Sequence, residues 1–215
     1  MNYPKQHRQL VKKAIKEAYG LGTPIGRGNL DELPDLGVEK KKNHKADKML
    51  VNAAKIGDLK GVKAALADGA NVHADDDFAL RWSASEGHLE IVKFLVDSGA
   101  DVHAGDDYAL RLSAANGHLE VVKFLVDNGA DVHAVNDHAL RWSAENGHLE
   151  VVKFLLDKGA DIHADDDHPL RWSASNGHLE VVKYLLRQGS YHPEILKYMD
   201  KFDEETKMLI RLMSV

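Results

Sequence analysis

The chain has no cysteine among its 215 residues. That excludes disulfides, thiol nucleophiles and thiolate metal sites, and it fits a reducing compartment. No apolar run approaches the ~20 residues that a membrane-spanning helix needs, so no membrane role is expected. The opening MNYPKQHRQL lacks an apolar signal region, so secretion is not expected and an intracellular location is. Catalytic motifs are missing too. The stretch GLGTPIGRG (20–28) lacks the GK[ST] of a phosphate loop. Ser83, Ser113, Ser143 and Ser173 have no nucleophile-elbow context. Asp75–Asp77 and Asp165–Asp167 have no EF-hand spacing, and calcium needs about six to eight oxygen ligands in a shaped loop. No enzyme activity, metal or cofactor is expected.

What the chain has instead is repetition. Residues 79–104 read ALRWSASEGHLEIVKFLVDSGADVHA, and residues 109–134 read ALRLSAANGHLEVVKFLVDNGADVHA. A third copy, ALRWSAENGHLEVVKFLLDKGADIHA, fills 139–164, and PLRWSASNGHLEVVKYLL opens a fourth at 169. The period is 30 residues. A weaker copy at 49–74, MLVNAAKIGDLKGVKAALADGANVHA, keeps Gly57, Leu59, Val62, Gly69 and His73 in phase. Such a period predicts stacked units, with atypical end units as caps. Five repeats are expected, starting near 46, 76, 106, 136 and 166.

Within residues 79–104 the spacing predicts a helix over Ala79–Glu86 and a second over Leu89–Asp97. Gly87 ends the first helix, and Gly99 sits at a left-handed C-cap. An extended, β-like return follows over Ala100–Ala104, and Asp75–Phe78 forms a tight turn. Asp77, Asp107, Asp137 and Asp167 stand four residues before Arg81, Arg111, Arg141 and Arg171. That spacing predicts helix-capping aspartates in i,i+4 ion pairs. In-phase histidines (His73, His103, His133, His163 and His88, His118, His148, His178) are expected to hydrogen-bond in turns and loops. Trp82, Leu112, Trp142 and Trp172 share one position and are expected in the core.

The formal net charge of −6 is unevenly spread. Residues 1–45 carry 10 Lys/Arg against 5 Asp/Glu, and residues 46–190 carry 14 against 24. The chain divides into a basic N-terminal extension (1–45: helix 4–19, Gly-rich loop, Lys-rich linker), a repeat array (46–190) and C-terminal capping helices (191–215). In the last part Ile195, Leu196, Met199, Met208, Leu209 and Leu212 are the apolar positions. The acidic array repels nucleic-acid phosphates and favours a basic partner surface. Nucleic-acid association is expected only through residues 1–45.

The block GHLEVVKFLLDKGADIHA (147–164) resembles ankyrin repeats, and the resemblance covers about two thirds of the chain. Two features depart from the family pattern: the unit is shorter than the usual ~33 residues, and ALR(W/L) stands where TPLH is usual. In both respects the units are similar to short ankyrin units of large DNA viruses. The resemblance implies an all-α solenoid of helix–turn–helix repeats that binds protein partners through loop tips and the inner helix face. Those positions are Asp75, Asp76, Phe78, Ser85 and Glu86, then Asp106, Tyr108 and Asn116, then Asn136, His138, Glu145 and Asn146, then Asp165, Asp166, His168 and Asn176. They vary most between copies. The expected role is an adaptor, inhibitor or decoy that holds a basic protein on an acidic concave face. The segment HPEILKYM also resembles the start of an F-box-like helix, which implies an adaptor role for the C-terminal helices as an alternative.

Overall fold

The computed structural model describes residues 43–214, and residues 41–215 form one compact unit. The N-terminal helix over 4–19, the Gly-rich loop and most of the Lys-rich linker lie outside the described residues. The last of the linker does not: His44 and Lys45 already belong to a helix, His44–Lys55, which Asn43 caps by accepting from the Ala46 N–H.

Helix pairs follow at the repeat period. They are His44–Lys55 with Leu59–Ala67, Phe78–Ser85 with Leu89–Asp97, Ala104–Ala115 with Leu119–Asp127, Ala134–Glu145 with Leu149–Asp157, and Ala164–Asn176 with Leu179–Arg187. A 3-10 helix (Pro193–Lys201) and a final α-helix (Glu204–Met213) complete the chain. Among the described residues there is no strand. The return expected to be extended is a turn, because Asp101 Oδ1 accepts from the His103 N–H at 2.9 Å and folds the chain back on itself. The same bond recurs at Asp131 and Asp161.

One leucine per helix fills the middle layer, except in Leu59–Ala67, where Ala65 takes the place. Leu50, Leu80, Leu110, Leu140 and Leu170 on first helices, and Leu95, Leu125, Leu155 and Leu185 on second helices, are all fully buried. Ala84, Ala114, Ala144 and Ala174 let neighbouring first helices approach closely. At the C-terminal end Ile195, Phe202 and Ile210 are buried. Leu196, Met208 and Leu212, which the sequence pattern puts on the apolar side, are exposed. The first of the two segments winds as a 3-10 helix, which changes the phase of its apolar stripe.

Two polar ladders fasten each helix pair to the next, the tip turn being counted with the pair that follows it. In the first, His118 Nε2 donates to the Ser85 carbonyl at 2.9 Å and His148 Nε2 to the Ala115 carbonyl at 2.9 Å. His88 does the same to Lys55 at 3.2 Å. These acceptors lie at first-helix C-termini, where carbonyls lack helical partners. Gly87, at φ +75°, lies under the His118 ring, and a Cβ there would stand 2.6 Å from Nδ1. Glycine therefore answers two demands at that position, a left-handed backbone and a close approach.

The second ladder corrects the capping expectation. Asp77, Asp107 and Asp137 make no side-chain bond to the helices they precede. Their carboxylates reach forward and accept from the backbone N–H of Asp101, Asp131 and Asp161, at 3.0, 2.9 and 2.9 Å. Asp47 accepts from Asn71 in the same way at 2.7 Å, and Asp167 accepts from the Ser190 hydroxyl at 3.0 Å. His73, His103, His133 and His163 each donate Nδ1–H to the carboxylate four residues on, at 2.8–3.2 Å. Asp77, Asp107 and Asp137 are buried, which suits a carboxylate that satisfies two donors at once.

The backbone explains why these aspartates cannot cap. Asp75, Asp76 and Asp77 all have positive φ, as do Gly105–Asp107, Val135–Asp137 and Asp165–Asp167. Three left-handed residues in a row turn the carboxylate away from the following helix and toward the next repeat. Asp, Asn and Gly tolerate this conformation. Val135, at φ +53°, is β-branched and strained.

Candidate binding face

Successive first helices pack closely, whereas successive second helices make few contacts. The array therefore bends toward its first helices, and their outward side is the concave face. The left-handed tips Asp75, Asp76, Asp106, Val135, Asn136, Asp165 and Asp166 line one edge of that face.

The floor of the face is aromatic and cationic. Phe78 meets Trp82 edge-on at 5.8 Å, His138 lies 3.9 Å from Trp142, and His168 stacks on Trp172 at 5.3 Å. Lys55 Nζ stands 4.5 Å over Trp82. The tryptophan position expected in the core is thus on the surface: Trp172 is 42% exposed, and Trp82 and Trp142 are half-buried. The helix is too short, and Leu80 and Ala84 too fully inward, for residue 82 to face the core as well.

The arginines stand on the same floor, and each braces a left-handed tip. Arg81 donates to the Asp75 carbonyl at 2.6 Å, and Arg111 to the carbonyls of Gly105 and Asp106 at 2.8 and 2.9 Å. Arg141 donates to Val135 and Asn136 at 3.1 and 2.9 Å, and Arg171 to Asp166 at 3.1 Å. None pairs with the aspartate four residues earlier, because that carboxylate points to the next repeat.

Burial, with help from Arg141, Arg111 and His168, lowers the His138 pKa from 6.5 to about 4. Burial also lowers His168, with Arg141 the next cause. Both rings are therefore neutral near pH 7.

Among the described residues no group of acidic or histidine side chains could hold a metal ion. No described helix is long and apolar enough to cross a membrane. A cavity of about 460 Å³ lies at the N-terminal end of the array, lined by His44, Asp47, Val51, Asn71, Asp75 and Phe78 among others. There the first repeat has Val51 and Asn52 where the others have Arg and Trp or Leu.

Three copies of the family model for ankyrin repeats match the chain, over residues 8–106, 50–136 and 110–196. The chain belongs to the ankyrin-repeat family. No curated protein matches it. Ankyrin repeats are in general protein–protein interaction modules and typically have no catalysis of their own.

Within this ankyrin array the positions expected to contact a partner divide into three groups. Asp75, Asp76, Asp106, Asn136, Asp165 and Asp166 are exposed tips. Phe78, Tyr108, His138 and His168 are half-buried on the floor, beside the tryptophan row. The third group lies at the first-helix C-termini. Ser85 is buried, and Asn116 donates to both its carbonyl and its hydroxyl. Asn146 and Asn176 donate to Ala115 and Glu145 in the same way, at 3.0 and 2.9 Å. These amides pin one repeat to the next while the three asparagines stay exposed, and Ser85 lies buried beneath Asn116. Glu86 is exposed and Glu145 is half-buried. The acidity expected of the whole concave face is confined to its edge, because four arginines stand on the floor. The tryptophan and arginine rows were not among the positions expected to contact a partner, because those were the positions that vary most between copies. Their helical spacing from Phe78 (three and four residues on) was the signal that they share its face.

Proposed function

We propose that the protein holds a polypeptide partner on this concave face, with the acidic tips meeting basic groups and the aromatic floor meeting apolar ones. Its role is that of an adaptor, inhibitor or decoy inside the cell. In this reading the array runs from 46 to 190, residues 191–215 cap it, and residues 1–45 are a separate basic extension. The observation that carries the proposal is the row of His–Trp and Phe–Trp pairs standing half-open on one side of the array. Aromatic residues in such positions are frequent hot spots. The tips add charge at the rim, where it mainly sets association rate.

The test starts with affinity capture of partners from native cells, followed by stopped-flow kinetics on the captured complex. Trp142→Ala is expected to raise the dissociation rate about 5–100-fold, in line with a lost hot spot. Reversal of Asp75 and Asp76 to Lys is expected to slow association, and rising salt to slow it for the parent protein. Lys123→Ala, on a second helix, is expected to change neither rate. Kinetics that ignore Trp142, the reversal and salt alike would place the partner elsewhere.

A further inference from the structure

The four floor arginines are not equally neutralised. Arg141 meets the Asp165 carboxylate at 2.9 Å. Arg171 meets Glu194 at 2.7 Å and Asp166 at 3.3 Å. Arg111 has no carboxylate within ion-pair distance among the described residues, although it is only 9% exposed. Its guanidinium is held by two carbonyls, with His138 Nδ1 at 3.5 Å on the remaining side. Arg81 has Asp76 at 3.9 Å, and its Nε–H is buried without a partner. The cause lies in one tip position. Asp165 reaches back from the tip that precedes the fifth first helix to Arg141, whereas the residues in that place after Arg81 and Arg111 are Gly105 and Val135. Neither can supply a carboxylate.

Both under-neutralised arginines face one ring. Arg81 Cζ lies 5.6 Å and Arg111 Cζ 4.8 Å from the centroid of Tyr108. Buried charges are ordinarily paired, because an uncompensated one is costly. Here the compensation is absent at Arg111, limited at Arg81 to the long contact with exposed Asp76, and close at the other two. We propose that Arg81 and Arg111, both within 6 Å of the Tyr108 ring centroid, form a subsite for one anionic side chain of the partner polypeptide, a carboxylate or a phosphomonoester. The subsite deepens the concave-face reading and rests on it for the identity of the partner as a polypeptide. It assigns the partner a charge pattern: basic groups over the Asp75–Asp76 and Asp165–Asp166 tips, and one acidic group between them. A guanidinium with free N–H groups offers carboxylate and phosphate the same paired donors.

The test uses small anions and the full chain. The Nε–Hε resonances of the four arginines are followed during titration with sodium acetate and, separately, sodium phosphate, at constant ionic strength kept with sodium chloride. Arg81 and Arg111 are expected to shift saturably, and Arg141 and Arg171 to stay still. A stronger phosphate response points to a phosphomonoester, and equal responses point to a carboxylate. Val135→Asp supplies the missing internal carboxylate without removing either arginine. It is expected to abolish the Arg111 response and leave the fold intact, since Asp tolerates the left-handed backbone better than Val. Arg81→Lys is expected to weaken saturation at Arg111 several-fold. Uniform, non-saturating shifts at all four arginines, or a Val135→Asp protein that responds like the parent, would overturn the subsite. Because no macromolecular partner is used, failure of the concave-face reading leaves this result standing, and the reverse also holds.

Discussion

Replacing Asp107 with alanine tests the inter-repeat staple directly. The Asp107 side chain is 8% exposed, accepts from the Asp131 N–H at 2.9 Å and from His103 Nδ1 at 3.1 Å, and holds a backbone at φ +57°. Alanine removes the acceptor and leaves a part-buried N–H unsatisfied, a loss of about 1–3 kcal/mol. It also places a Cβ-bearing residue without a helpful side chain in the left-handed region, about 1 kcal/mol more. The expected loss is ~2–4 kcal/mol. Asp106 is the matched control: it has the same φ of +57° but is exposed, so Asp106→Ala is expected to lose only ~1 kcal/mol of backbone preference. Asp107→Asn keeps an acceptor oxygen and the tolerance for positive φ, and gives up charge assistance, so it is expected to fall between the two. The assay is guanidinium denaturation followed by circular dichroism and by tryptophan emission. Trp82 reports one side of the broken interface and Trp142 and Trp172 the other. Stacked repeats couple only to neighbours. Asp107→Ala should therefore separate the circular dichroism and fluorescence midpoints, as well as lower the stability. Asp106→Ala and Asp107→Ala proteins within ~0.5 kcal/mol of each other, with coincident transitions, would refute the staple and restore a local role for Asp107.

Two further outcomes are expected. Leu125→Ala, at a fully buried second-helix position, should lose about 2–5 kcal/mol, whereas Asn128→Ala, exposed at the end of that helix, should stay within about 1 kcal/mol; equal midpoints would overturn the repeat register. His138 titrates at about 4 when folded against 6.5 unfolded, so between those values the unfolded chain binds more protons and stability falls as pH falls. The ring is only partly buried, so with solvent screening the His138 share is about 1 kcal/mol. His138→Gln should therefore be flatter than the parent between pH 7 and 4 in chemical denaturation, with Arg111, Arg141 and His168 unchanged around it. Parallel curves would show that burial does not act on this ring.

Much of the architecture was legible because each repeat states it again. A 30-residue period, apolar phases at Leu80 and Leu95, and glycines at 87 and 99 fix two helices and a tight turn in every unit. What stayed hidden depends on the backbone between units. The spacing of Asp77 and Arg81 matches an i,i+4 pair, and on a regular helix it would be one. Three left-handed residues break that geometry, and a run of Asp, Asn and Gly states tolerance of positive φ without stating that it is used. Once the turn is left-handed, the rest follows: the aspartate is thrown forward to the next repeat, and the arginine is left to brace the tip carbonyls. The same turn brings the tip residue of one repeat within reach of the arginine of the repeat before. A single position, occupied by Gly105, Val135 or Asp165, thereby decides whether Arg81, Arg111 or Arg141 receives a carboxylate from the following tip. Variation between copies at that position alters the charge of the floor while the four arginines themselves stay the same.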